Sequence, residues 1–291
     1  MVRGSYNSSI TRVRPVFGQL IRRDPSGATW LPPILRTVSA GQLEPDLVES
    51  PGDIHSYLFE TRTYVDSVLA RHGVLAIELE RCFEKILPPP RAFLEWLIRN
   101  PDFLSWPLRG DVETRYGAAT QVKREHLFGR GTREAAVQVQ LEALNQLREL
   151  GPSESQRKWW AFEGFTEVDC YLETDRLLLV IEGKRTEGLS RSTDWYPQRN
   201  QLARNLEVAN ELAGDRKAAA VLLVVESDDF DASLDAVQRG LPHLSTEDLD
   251  LVIGRLLGPM TWRALCQATS LDFSTLPDTT ESLVASLGAG A

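Results

Sequence analysis

An α/β fold is predicted by three observations. Two apolar runs, residues 168–172 and 177–181, are separated by Glu173, Thr174, Asp175 and Arg176, the pattern of a β-hairpin. Helical patterns flank them: Val137, Leu141, Leu144 and Leu147 recur at helix spacing before the hairpin, and a segment from Pro197 to Gly214 after it carries start and stop signals. The run AAAVLLVV at 218–225 is apolar throughout and reads as a strand buried on both faces.

Composition sets the bounds. With 291 residues, 42% hydrophobic and 25% charged, the chain can bury a full core and hold one or two domains. No run approaches the ~20 apolar residues that span a bilayer, and the first residues lack the apolar segment of a secretory signal. Cys82, Cys170 and Cys266 are odd in number and far apart, which argues against a disulfide framework or a zinc knuckle. A cytoplasmic protein without a membrane role is expected. The net charge of −9 is concentrated at one end: from Glu226 to Ala291 there are 11 acidic and 3 basic residues, a local −8. Arg109, Arg115, Lys123, Arg124, Arg130 and Arg133 form a basic stretch further upstream, read as a solvated surface ahead of a nucleic-acid contact.

Taken in order, residues 1–55 are rich in Pro, Gly and Ser and read as an irregular lead-in, with short strands near 13–20 and 34–38. From 54 to 100 the pattern turns helical. Leu58, Phe59, Val65, Val68 and Leu69 suit one helix, Val74 to Ile86 a second, and Phe93 to Ile98 a third that ends before Pro101. A longer helix is expected over 133–150 with Thr132 as its N-cap. Glu134 in its first turn either complements the helix dipole or joins a site. Arg130, between Gly129 and Gly131 at that helix start, is placed to meet a phosphate. Residues 159–165 read as a strand, with Trp159 and Trp160 more suited to core packing than to stacking on a base. Beyond Glu226, helices are expected near 233–239, 246–257 and 262–268.

The hairpin carries the chemistry. With Thr174 and Asp175 as a two-residue loop, Glu167, Asp169, Glu182 and Lys184 project from one face, while Cys170, Leu172, Leu179 and Ile181 form the core face. Clustered carboxylates repel unless a cation lies between them, and hard oxygen donors suit Mg²⁺ or Mn²⁺. A lysine beside them can steady an anion or an attacking hydroxide.

Asp169, twelve residues and then Glu182-Gly183-Lys184 resembles the PD-(D/E)xK nuclease superfamily, with Val168 where the family name has Pro. The resemblance implies a restriction-endonuclease-like αβββαβ core with a mixed central sheet, spanning 106–230. Residues 1–105 would then be a lead-in with a helical module, and 231–291 a helical, acidic extension. It also implies catalysis by Asp169, Glu182 and Lys184, and a metal shell of Asp169 and Glu182 completed by Glu134, Glu167 or Glu163. Mg²⁺ would be the cofactor, with Mn²⁺ able to substitute. Gln201 would contact substrate from the helix after the hairpin, where Gln198, Arg204 and Asn205 also offer polar groups. Arg185 opens a polar loop expected to lie near substrate. DNA is the implied partner, with RNA open and a homodimer suited to cutting both strands.

Other chemistries lack their motifs. There is no P-loop, no G-x-G-x-x-G and no G-x-S-x-G, and His55, His72, His126 and His243 show no metal spacing. Two rival readings remain: a binding module that keeps the fold without cleavage, and an unrelated α/β protein in which Glu182 and Lys184 are surface ion pairs.

Overall fold

Residues 8–59, 86–105, 117–154, 158–279 and 282 are described by the computed structural model of this chain. A π-helical turn, Ser9–Val13, runs directly into α1 (Arg14–Arg23), followed by α2 (Leu31–Val38) and α3 (Pro45–Glu49). Where an irregular segment with short strands is expected, helices therefore stand. Pro32, Pro33 and Pro45 fall in first helical turns, where a missing N–H costs nothing. Next come β1 (Ser56–Phe59), β2 (Ile86–Leu87) and α4 (Arg91–Arg99). The helix expected over Phe93 to Ile98 is thus present, but Leu58 and Phe59 lie in a strand and Ile86 in another. Val65 to Phe83 lie outside the described residues.

After α5 (Ala118–Leu127), α6 (Arg133–Glu154) begins where the sequence places it, with the Thr132 hydroxyl accepting from Ala135 N at 3.2 Å. Its helical geometry breaks at Gly151, whose φ of 74° favours glycine. The face is rotated from the expected one: Val139, Ala143, Leu144 and Leu147 are buried, whereas Val137 and Leu141 are 48% and 55% exposed. Residues 159–165 form no strand. The rings of Trp159, Trp160 and Phe162 enter a cluster with Phe93, Leu97 and Trp195, and Trp160 Nε1 donates to Gln146 Oε1 at 2.7 Å. Burial of rings from both sides of the segment is incompatible with a regular pleat that would send alternate residues to opposite layers.

The remaining elements are β3 (Thr166–Glu167), β4 (Cys170–Glu173), β5 (Leu177–Gly183), α7 (Gln201–Ala213), β6 (Ala218–Val225), α8 (Leu234–Arg239), α9 (Thr246–Ile253), β7 (Leu256–Thr261) and α10 (Trp262–Ala268). The fold is α/β with a five-stranded mixed sheet in the order β1-β4-β5-β6-β7. The β1–β4 and β4–β5 pairs are antiparallel; the β5–β6 and β6–β7 pairs are parallel. The short β3 pairs with β2 in a separate two-stranded ribbon, so the strand beside the hairpin is β1 and not a segment just before it. β7 replaces the end of the helix expected to reach residue 257. Gly258 and Pro259 are tolerated there because β7 is an edge strand.

Alternation explains the apolar runs. Leu177, Leu179, Ile181, Ala220, Leu222 and Val224 face α1, α2 and α10, while Leu178, Val180, Ala219, Val221, Leu223 and Val225 face α7, α8 and α9. β5 and β6 are covered on both sides and have no solvent face to mark with polar residues.

Candidate active site

The hairpin turns later than expected. Cys170 pairs with Ile181, Leu172 with Leu179 and Glu173 with Leu178, and Thr174 N donates to Leu177 O at 2.8 Å. Asp175 and Arg176 therefore occupy the loop, and the Thr174 hydroxyl fixes it by accepting from Leu177 N at 2.8 Å. The register differs from the expected one by two residues, an even step, so every side chain keeps its face. One step beyond the last pair, Asp169 stands across from Glu182.

Asp169 and Glu182 meet at the end of the hairpin. Asp169 Oδ2 accepts from Gly183 N at 2.8 Å, and Oδ1 accepts from the Ser9 hydroxyl. Glu182 is fully buried; Oε1 lies 2.8 Å from Lys184 Nζ, and Oε2 accepts from Asn205 Nδ2 at 2.8 Å. Burial alone would lower the Lys184 pKa, but the Glu182 and Asp169 charges outweigh it and hold the ammonium above its ordinary value. Lys184 is therefore a fixed cation, unsuited to act as a general base. Its backbone is held on both sides, donating to Val224 O at 2.8 Å and accepting from Trp262 Nε1 at 3.1 Å. Gly183 has no room for a side chain: a Cβ there would fall 2.4 Å from Val13 Cγ2 and 2.8 Å from Trp262 Cζ2.

The other expected residues are placed differently. Glu134 is exposed in the first turn of α6, and Glu167 is exposed on β3 in the separate ribbon. Glu163 is fully buried in an ion pair with Arg199 at 2.7 Å. Among the described residues, no group of three or more His, Cys, Asp or Glu side chains is arranged to hold a metal, so the larger carboxylate shell is not assembled. Gln201 sits at the first position of α7, which begins four residues later than expected because Asn200 is the cap, accepting from Ala203 N at 2.8 Å. Gln201 bonds to Ser190; the α7 residue that reaches Glu182 is Asn205, one turn further on. Arg185 turns inward, donating to Thr11 Oγ1 at 3.0 Å and Asp278 O at 2.7 Å. Arg130 is exposed between α5 and α6. Within the basic stretch, Arg124 is buried, donating to Trp159 O at 2.6 Å, and Lys123 pairs with Glu142; Arg109 and Arg115 lie outside the described residues.

Sequence reasoning misses two further parts. Ser9 and Arg12 arrive from the N-terminal segment, and no local pattern links them to residues 160 positions away or more. A buried cluster behind the site joins Arg199, Glu163, Glu207 and His243, with His243 Nε2 2.6 Å from Glu207 Oε1. Its one signal was Arg199, between the neutral amides Gln198 and Asn200 at a helix start, which reads equally as a solvated turn.

Beside the site lies a cleft of about 660 Å³, lined by Arg185, Glu187, Arg191, Asn200, Asp229 and Arg239 among others. It opens at the C-terminal ends of β5 and β6, where parallel sheets commonly bind ligands. Its lining mixes cations and carboxylates. Compared with known proteins, the chain matches no protein-family model, no curated protein and no solved structure.

Proposed function

We propose that this protein is a metal-dependent phosphodiesterase of the PD-(D/E)xK type acting on DNA, with a restriction-endonuclease-like core. The observation that carries the reading is the convergence of Asp169, Glu182 and Lys184 at one end of the hairpin, with Lys184 Nζ 2.8 Å from Glu182 Oε1 and Gly183 N on Asp169. A buried acid–acid–lysine set at the ends of central strands is costly to maintain for stability alone, since apolar replacements would serve as well or better.

The donor set fits a hard divalent cation. Mg²⁺ is commonly held by one or two carboxylates and completes its shell with water and phosphate oxygens, so Asp169 and Glu182 suffice without Glu134 or Glu167. Bound there, the metal would supply Lewis acidity and a water of lowered pKa. Gly183 N and Asn205 orient the two carboxylates. Lys184, cationic across the physiological range, stabilises negative charge that develops on a phosphate. The adjacent cleft, with Arg185, Arg191 and Arg239 on its walls, is the natural path for a phosphodiester backbone. Glu187, Asp229 and Asp231 on the same walls limit nonspecific attraction.

A cytoplasmic setting suits Cys170 and Cys266, which are buried free thiols. No helix among the described residues is long and apolar enough to cross a membrane. A second reading, a binding module without cleavage, is favoured by one observation: both carboxylates already have protein partners.

Cleavage of plasmid, linear duplex, single-stranded DNA and RNA in Mg²⁺ and in Mn²⁺ decides between them, with Asp169→Asn and Lys184→Met alongside. Activity lost in EDTA and in both variants supports the nuclease. Salt-sensitive DNA binding with no cleavage of any substrate supports the binding module.

A further inference from the structure

The cleft beside the site has a lining ill-suited to a duplex. Its walls come from residues 185–200, between β5 and α7, and from residues 229–239, which end with α8, and they enclose about 660 Å³. Cavities of roughly 300–1,000 Å³ take small ligands, whereas a duplex is gripped over on the order of 1,000–2,500 Å² of protein surface. Charge points the same way. Three arginines, Arg185, Arg191 and Arg239, stand against three carboxylates, Glu187, Asp229 and Asp231, so the walls carry no net positive charge. Duplex attraction depends on an excess of cations that neutralise a run of phosphates.

The six charged side chains are not equivalent. Arg185 is engaged by Thr11, Asp278 O and Glu226; Glu187 Oε1 accepts from Ser8 N at 3.2 Å, and Asp229 accepts from the Ser227 hydroxyl. Arg191, Arg239 and Asp231 are exposed, and among the described residues their side chains make no hydrogen bond or ion pair within the protein. Two unpaired guanidiniums and an unpaired carboxylate suit a ligand that carries both an anion and hydrogen-bond donors. A nucleotide carries both. Guanidinium grips a phosphate through its forked donors, and a carboxylate accepts from an exocyclic base amine such as cytosine N4. Leu189 and Phe230 add apolar surface to the cleft wall; both are half-buried and rest on the core layer around α7 and α8. Phe230 thus offers an aromatic surface on which an unpaired base can stack, while in a duplex the base faces are covered by their neighbours. Glu187 joins this cleft to the site: its partner Ser8 precedes Ser9, which donates to Asp169.

We propose that the substrate is single-stranded DNA and that the cleft holds one of its nucleotides, with the phosphate on Arg191 and Arg239, the base against Phe230 and a base amine on Asp231. The inference rests on the nuclease reading above for the chemistry done at Asp169, Glu182 and Lys184.

The test is fluorescence anisotropy of a labelled single strand of mixed sequence and of its duplex, in EDTA across a salt series. The full chain is compared with Arg191→Ala, Arg239→Ala and Phe230→Leu, each shown by circular dichroism to be folded, and cleavage of both DNA forms is then followed in Mg²⁺ and in Mn²⁺. The single strand is expected to bind wild type about tenfold or more tightly than the duplex, which offers neither the stack nor the clamped phosphate. Each arginine variant should weaken single-strand binding roughly tenfold and reduce the slope of log affinity against log salt by about 0.7. Phe230→Leu keeps apolar packing and should weaken binding about fivefold or more through lost stacking. A single strand that is not bound, is bound no tighter than the duplex, is cleaved no faster than it, or is bound equally well by all three variants overturns the inference. The nuclease reading stands on a separate result: it survives if either form is cleaved and falls if neither is, whatever the binding shows.

Discussion

Replacing Arg199 by Met tests whether the polar cluster behind α7 is what fixes that helix against the hairpin. Arg199 is fully buried. Its guanidinium holds Glu163 through two bonds, 2.7 and 3.1 Å, donates to Gly240 O at 2.8 Å, pairs with Glu207, and lies 3.7 Å from the centre of the Phe93 ring. Burial would lower its pKa, but Glu163 and Glu207 more than offset that and raise it. Methionine fills similar space and removes only the charge and the donors. Two carboxylates are then left inside the protein, with His243 beside one of them. Breaking a buried pair by removing one partner costs about 3–5 kcal/mol, because the other charge is stranded. At about 2–4 °C per kcal/mol for domains near this size, the melting temperature should fall by roughly 6–20 °C. Calorimetry with denaturant titration measures it. Adding Glu163→Gln to Arg199→Met should recover part of the loss, a coupling that a double-mutant cycle isolates. A loss below ~1 kcal/mol at neutral pH would refute the reasoning, because it would mean that water or relaxation already solvates these carboxylates.

Gly183→Ala should destabilise the protein by about 1–3 kcal/mol through overpacking, since the new methyl meets Val13 and Trp262, both wholly buried; an unchanged melting temperature would show that Val13 and Trp262 can move aside freely. Lys184 has a raised pKa, so its contribution to stability is present below the ordinary lysine pKa of ~10.4 and is lost only as pH rises through the higher folded value. The stability difference between wild type and Lys184→Met should accordingly stay constant from neutral pH to about pH 10, and a difference that fades between pH 7 and 9 would count against it. Asp24 is lowered to about 2, chiefly by hydrogen bonds from the Ser26 hydroxyl and Thr29 N. Its contribution is present above the ordinary carboxylate pKa and lost as pH falls toward 2, so the gap in unfolding midpoint between wild type and Asp24→Asn should be full at pH 6 and close near pH 2.

Much of the sheet was legible because its code is local. A period-two alternation needs only neighbouring residues, and an even error in the hairpin register left Asp169, Glu182 and Lys184 on their expected face. The Thr132 cap, the helix over 91–99 and the strand over 218–225 follow from short-range signals of the same kind. Assignments failed where a distant partner decides. Ser56–Phe59 is a strand because the edge of β4 is free to take it, and Leu256–Thr261 because β6 offers the other edge. Val139 faces the core of α6 and Val137 does not, a choice made by the rings of Trp160 and Phe162 and invisible in a helix that carries apolar residues on both sides.

The sequence by itself determined the α/β class, the hairpin and the Asp169–Glu182–Lys184 triplet, because each depends on spacing within a few residues of one strand pair. Tertiary structure decided which side chains share those three. It left Glu134 and Glu167 exposed on other elements, brought in Asn205 one turn beyond Gln201, and linked Ser9 to Asp169 from 160 residues away in the chain. Contacts of that separation are set by how helices pack on a sheet whose two faces are both apolar, and a sequence of unbroken Leu and Val does not say which helix covers which face.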